Sequence, residues 1–115
     1  MKYIFILIIF LASCKYNSET EINNLIKSNN PDELVQGFFL IGEQKRKEYV
    51  HLILSNVNDP RISHTLRFKG VSVYQSKIIA MKKISGELPP GKITYKPDSV
   101  VIKFYKEWAL KHKLL

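Results

Sequence analysis

The stretch VSVYQSKIIAMKKISG, residues 71–86, decides the fold. Its large apolar side chains Tyr74, Ile78, Met81 and Ile84 recur at spacings of four, three and three, the recurrence of one helix face rather than the alternation of a strand. Ser72 stands where a hydroxyl can accept an N–H of the first turn, and Gly86 where a left-handed residue can close the last. Downstream, Leu88-Pro89-Pro90-Gly91 cannot continue a helix and reads as a rigid turn. A final helix is expected from about Asp98, just after Pro97. It carries Val100, Val101, Phe104, Tyr105, Trp108 and Ala109 toward the core, and its last turn holds Lys111, His112 and Lys113, which suit the negative end of the dipole. Tyr95, near Lys92 and Lys96, is the loop aromatic expected as an exposed contact.

Upstream, Ile62 to Phe68 mixes two signals. Leu66 and Phe68 alternate with Thr65, Arg67 and Lys69 as in a strand, whereas Ile62 and Leu66 lie one helical turn apart, so the segment is read as irregular. Before it a helix is expected from about Gln44 to Ser55, with Lys45, Arg46 and Lys47 on its outer turn and Tyr49, Val50, Leu52, Ile53 and Leu54 turned inward. Asn56 to Pro60 breaks it. The preceding helix has Asn30 as cap, Pro31 in the first position, Asp32 and Glu33 against the dipole, and Gly42 as its stop; Leu34, Val35, Phe38, Phe39 and Ile41 form its apolar set. A weaker helix, Glu21 to Ser28, places Ile22, Leu25 and Ile26 at one-turn spacing and takes Thr20 as its cap. The body, residues 21–115, is therefore expected to be mainly α, with one core.

Two internal echoes suggest a repeat. Ile41-Gly42-Glu43 and Ile84-Ser85-Gly86-Glu87 put two helix-stopping glycines forty-four residues apart, inside the period of roughly 40–47 residues of helical solenoid units. PDELVQGFF at Pro31 to Phe39 is matched by PDSVVIKFY at Pro97 to Tyr105. The stretch FLIGEQKRKEYVHLILSNVNDPR, from Phe39 to Arg61, resembles the join between HEAT repeats. That resemblance implies a capping Asp59, a turn at Pro60 and an Arg61 that ties neighbouring loops. The chain has room for about two units where three or more are the rule. A short HEAT-like α-solenoid and a compact irregular helical bundle are both compatible with the pattern.

At the N-terminus Lys2 precedes an apolar run from Tyr3 to Leu11, too short to span a bilayer, which takes roughly 20 apolar residues. The order of a positive end, a short apolar stretch and small residues is that of an export signal. Its ending, Leu11-Ala12-Ser13-Cys14, resembles the lipobox of bacterial lipoproteins. The resemblance implies cleavage of a signal peptide, residues 1–13, and diacylglycerol (and palmitate-type acylation) on Cys14, with residues 14–20 as a lipidated polar tether. Cys14 is the one cysteine, so no disulfide can form within the chain, and the covalent lipid is the one modification implied. Lys15 is not the aspartate that resembles an inner-membrane retention signal, so the outer membrane is the expected address in a Gram-negative cell envelope.

The composition gives 18 basic against 10 acidic residues and a formal charge of +8; without the signal peptide it is +7. Such a surplus suits anionic headgroups, an acidic protein or nucleic acid, and export makes nucleic acid the least expected of these. Lys45, Arg46 and Lys47 with Arg61, Arg67 and Lys69 are the candidate basic rim for a partner, and Lys82 and Lys83 form a third cluster. His51, His64 and His112 are too scattered for a metal pair, the serines fall at caps and turns, and the glycines stand singly. Asp32, Glu33, Asp59 and Asp98 fall at expected helix starts. The sequence thus points to a non-enzymatic module with no cofactor, no metal and no small-molecule substrate. Its expected partner is another envelope protein; a toxin bound by an immunity protein, and anionic lipid or envelope polymer, are the alternatives.

Overall fold

In the computed structural model the described residues are 19–115. The signal peptide, Cys14 and most of the tether lie outside them. Five helices build the body: α1, helical over 19–26, α2 at Pro31–Glu43, α3 at Val50–Ser55, α4 at Val73–Ser85 and α5 at Ser99–Lys111. A 3₁₀ turn, Lys47–Tyr49, leads into α3. Among the described residues there is no strand, only an isolated antiparallel bridge between Ile62 and Ser72. The fold is a helical bundle, the second of the two architectures the pattern allows.

The caps of the three longest helices are those the sequence dictates. Asn30 accepts the N–H of Asp32, Ser72 that of Gln75 and Asp98 that of Val100, each satisfying a donor that the first turn leaves unpaired. Gly86 closes α4 in the left-handed region at φ 70°. Tyr74, Ile78, Met81 and Ile84 are all buried, and with Ile22, Val35, Phe38, Ile41, Ile53, Leu54, Val101 and Tyr105 they form one core. Helices α2 and α4 run side by side in the same direction: Val35 and Phe39 share a cleft with Ser76 and Ile79, and Glu43 reaches Lys83.

Gly42 does not stop α2. The helix continues to Glu43, and a Cβ at Gly42 would come within 2.9 Å of the Ala80 Cα, so the glycine admits the backbone of α4. A Cβ at Gly37 would likewise lie 2.9 Å from Ile26 Cγ2 of α1. At 100° per residue the two glycines face about 140° apart, which is how one helix takes a close neighbour on each of two sides. The actual stop is Lys45, at φ 49°. Its N–H donates to Gly42 O, and that of Arg46 to Ile41 O, the paired bonds of a left-handed helix ending.

That ending also corrects the helix expected from Gln44. Residues 44–46 are a turn, Arg46 is buried rather than on an outer face, and Leu52 is 46% exposed. In α5, Val100 is 56% exposed and Ile102 takes the buried place beside Val101. Glu19 and Thr20 are already helical, so Thr20 sits inside α1 rather than capping it.

The echoes are not a repeat. Gly42 is a packing glycine inside a helix and Gly86 a terminal one. The two Pro-Asp pairs are used in different frames: Asn30 caps α2 with Pro31 inside the helix, whereas Asp98 itself caps α5 with Pro97 outside.

The segment 56–72 is irregular, as expected for Asn56 to Pro60 and Ile62 to Phe68, and is fastened by polar bonds. Asp32 of α2 accepts the His64 N–H at 2.7 Å and the Ser63 hydroxyl at 3.0 Å; these bonds hold its carboxyl below the usual carboxylate range. Asp59 caps no helix. It binds the Arg61 guanidinium at 2.7 Å, and Arg61 reaches on to Asn29 O at 2.8 Å, so Arg61 does tie two loops. The second irregular segment, 86–98, hangs on tyrosines: Tyr105 donates to Glu87 O at 2.9 Å, and the Tyr74 oxygen accepts the Asp98 N–H at 3.1 Å.

Candidate functional site

Phe39 is the residue around which a site forms. It follows buried Phe38 in α2, so it lies 100° farther round, at the rim of the apolar stripe, and is only half-buried. From the connector Phe68 meets it, ring centroids 5.2 Å apart and tilted by 54°. Two cations stand over the Phe39 ring, the Arg67 guanidinium at 4.6 Å and the Lys83 ammonium at 4.7 Å, and Arg67 also lies 5.3 Å from Phe68. Each cation is drawn to the negative face of a ring, for about 0.5–1 kcal/mol at an exposed site. Beside the pair opens an apolar cleft of about 200 Å³ lined by Val35, Phe39, Phe68, Val71 and Ile79.

The two cations differ in what they have left to offer. Lys83 is engaged by Glu43, whose carboxyl is held below its ordinary range chiefly by that contact, with a smaller pull from the charge of Arg67. Among the described residues no carboxylate comes within ion-pair distance of Arg67. Its guanidinium, laid on two rings, keeps its N–H edge for an external acceptor. Immediately before it stands Leu66, 99% exposed. The loop that presents it is held in place: Phe68 N donates to Thr65 Oγ1, Gly70 N to Ser63 O and Val71 N to Phe68 O, in addition to the Asp32 bonds.

The basic rim expected from the sequence is therefore split. Lys45, Lys47 and Lys69 are exposed, and Lys45 borders a different depression, of about 420 Å³, with Lys82 and Lys83 between the ends of α2 and α4. Arg46 is turned inward onto Gln44 and Glu48, with 3.1 Å to the Glu48 carboxylate. Arg61 belongs to the Asp59 pair, which raises its own pKa. Only Arg67 and its neighbour Lys69 stay at the candidate surface, joined by Lys83, Phe39, Leu66 and Phe68. Along the chain Phe39 reads as core, and Leu66 and Phe68 as part of a segment without regular structure. The available signal was the surplus in α2, where Phe38 and Phe39 together offer more aromatic surface than one stripe can bury.

Tyr95 is exposed, with its carbonyl bound by the Ser72 hydroxyl at 2.7 Å and Lys96 at 5.8 Å from its ring. Among the described residues no group of three or more histidine, aspartate, glutamate or cysteine side chains is arranged to hold a metal ion, and no helix is long and apolar enough to cross a membrane. Compared with protein-family models, curated proteins and solved structures, the chain matches none.

Proposed function

We propose that this chain is a lipid-anchored, non-catalytic envelope protein whose helical body binds another protein through the surface around Phe39. The observation that carries the reading is Leu66, fully exposed on a fastened loop beside an unpaired guanidinium. An exposed leucine alone is ordinary. A leucine at a pinned tip, next to an aromatic pair, an apolar cleft and an arginine with a free edge, has the composition of an interface anchor. The partner this suits is an acidic segment carrying an apolar side chain, with carboxylate on Arg67 and the apolar group against Leu66 and the cleft.

The address rests on the lipobox-like Leu11 to Cys14. Radiolabelled palmitate should enter the chain and be lost in Cys14→Ser; label retained in that variant would remove the anchor. For the binding face, the partner recovered with the chain from detergent-solubilised membranes should be lost with the pair Leu66→Asp and Arg67→Glu. Both residues are exposed, so the chain should stay folded, its thermal midpoint lowered only by the loss of the Arg67 contacts with the Phe39 and Phe68 rings. Undiminished recovery would displace the interface from this loop. Reversal of Arg46 or Arg61 is not an equivalent test, because each holds the fold.

A further inference from the structure

On the other side of α2, away from Phe39, a separate cavity of about 210 Å³ lies between α2, α4 and the end of α3. Its apolar wall includes Leu34, Phe38, Leu52 and Val73, and its polar wall includes Asn56, Asp59, Arg61 and Lys77. Lys77 is the unusual group. Only 6% of it is exposed, and a lysine is rarely so enclosed without a carboxylate partner. Its ammonium donates to the Asn56 carbonyl and stands 5.1 Å from the Phe38 ring centroid. Both neighbours line the cavity, so the nitrogen lies at its wall.

An ammonium carries three N–H donors, and among the described residues the Asn56 carbonyl is its one hydrogen-bond acceptor. Asp59 lines the same cavity and attracts the ammonium, but both Asp59 oxygens are bonded to Arg61 at 2.7–3.2 Å, and among the described residues it forms no ion pair with Lys77. The pair closes on itself with no net charge, and the surplus at the cavity is one positive charge on Lys77. Burial lowers the Lys77 pKa, opposed by Asp59 and reinforced to a smaller extent by Arg61, so that burial outweighs the one carboxylate nearby. The mouth is open to solvent through the exposed residues Asn29, Leu52, Ser55 and Arg61.

We propose that this cavity binds a small aliphatic monocarboxylate, with its carboxylate on the Lys77 ammonium and its alkyl group against Leu34, Phe38 and Val73. One uncompensated charge matches a monoanion and not a phosphate dianion. The half-apolar lining matches a short hydrocarbon tail, and the volume falls below the roughly 300–1,000 Å³ of sites for larger ligands. The inference is independent of the interface around Leu66 and of the lipid anchor.

The test uses butyrate and its uncharged analogue butyramide as probes of the full chain, followed by methyl and amide NMR shifts. Butyrate should give saturable shifts at Leu34 and Val73, and butyramide should bind at least about tenfold more weakly, the loss of one charge-assisted hydrogen bond. Lys77→Met, which keeps the side-chain volume, should abolish the butyrate shifts while leaving those of α5 in place. Should that variant not fold, the acid-against-amide comparison in the unaltered chain decides alone. No butyrate shifts at Leu34 and Val73, equal binding of the amide, or undiminished butyrate binding by a folded Lys77→Met would each overturn the proposal.

Discussion

The α2–α4 pair and the connector 56–72 are neighbours ordered by opposite means. The helices satisfy their backbones internally and meet through Val35 and Phe39 of α2, Ile79 of α4 and the close approach of Gly42 to Ala80, so their order is spread over many small apolar contacts. The connector has no such ladder. Its backbone groups are satisfied one by one, as any irregular segment in contact with a core requires. Some are met by side chains, as when Asp32 accepts the His64 N–H, Ser63 that of Thr65 and Thr65 that of Phe68, and others by scattered backbone carbonyls, as when Val71 O accepts the Ser63 N–H. The helix pair therefore tolerates the loss of most single polar groups, whereas the connector depends on a few. Those few also aim Leu66 and Arg67.

The comparison breaks most severely at Gly42. Gly42→Val drives a branched side chain against the Ala80 backbone, where no flexible atom can give way. Overpacking of this kind costs about 1–3 kcal/mol; urea unfolding should show it as a lowered midpoint with little change in slope. An unchanged midpoint would mean that the helices can separate without loss.

Alkaline titration probes the tyrosine fastenings of segment 86–98. Burial pushes the Tyr105 phenol up to about 12 and raises Tyr74, and Tyr49, bonded to Asn23, is raised by burial too. Above the ordinary tyrosine pKa of about 10 the unfolded chain loses these protons while the folded one keeps them. Stability then falls as pH rises, by up to about 1.4 kcal/mol per pH unit for each tyrosine. Tyr105→Phe should flatten the fall between pH 10 and 12, as read by denaturant midpoints across that range.

On the acid side the connector should loosen before the helix pair. The folded-state pKa values of Asp32, Asp59 and Glu43 are depressed. Their contribution is complete above the unfolded carboxylate pKa and is lost as pH falls through the lower folded value. Asp32→Asn mimics that loss at neutral pH. Hydrogen exchange should quicken at His64 and Gly70 while amides of α4 keep their protection; uniform quickening would mean that the connector and the helices open together.

These differences mark what was legible in the sequence. Helices α2, α4 and α5 could be read because period and caps agree, Asn30, Ser72 and Asp98 each standing just before an apolar rhythm. Gly42 was misread because a glycine that admits a neighbouring helix and one that ends its own look alike along the chain. The helix expected over 44–55 does end at Ser55, but its start was misplaced because nothing in Gln44-Lys45-Arg46 announces a left-handed lysine. Leu52 and Val100 followed the apolar stripe but fall past its edge. Of the site, Arg67 and Lys69 were visible as charge. Phe39, Phe68 and Lys83 join them only through the α2–α4 contact and the course of the connector, neither of which local periodicity encodes.

The smallest expected effect is a gain. Lys45 and Lys113 both end helices in the left-handed region, at φ 49° and 59°, where an L side chain is disfavoured by about 1–2 kcal/mol. In Lys45→Gly that strain is removed, and the greater freedom of glycine in the unfolded chain returns about 0.5–1 kcal/mol of it. The net should be a stabilisation of about 0.5 kcal/mol, a slightly higher urea midpoint, because the paired bonds to Gly42 O and Ile41 O come from backbone N–H groups that the substitution retains. Partner recovery should not change, since Lys45 borders the depression at the helix ends and not the cleft at Phe39. A stabilised variant that loses its partner would move the binding face from the connector to the helix ends, reversing the division of labour between the two regions.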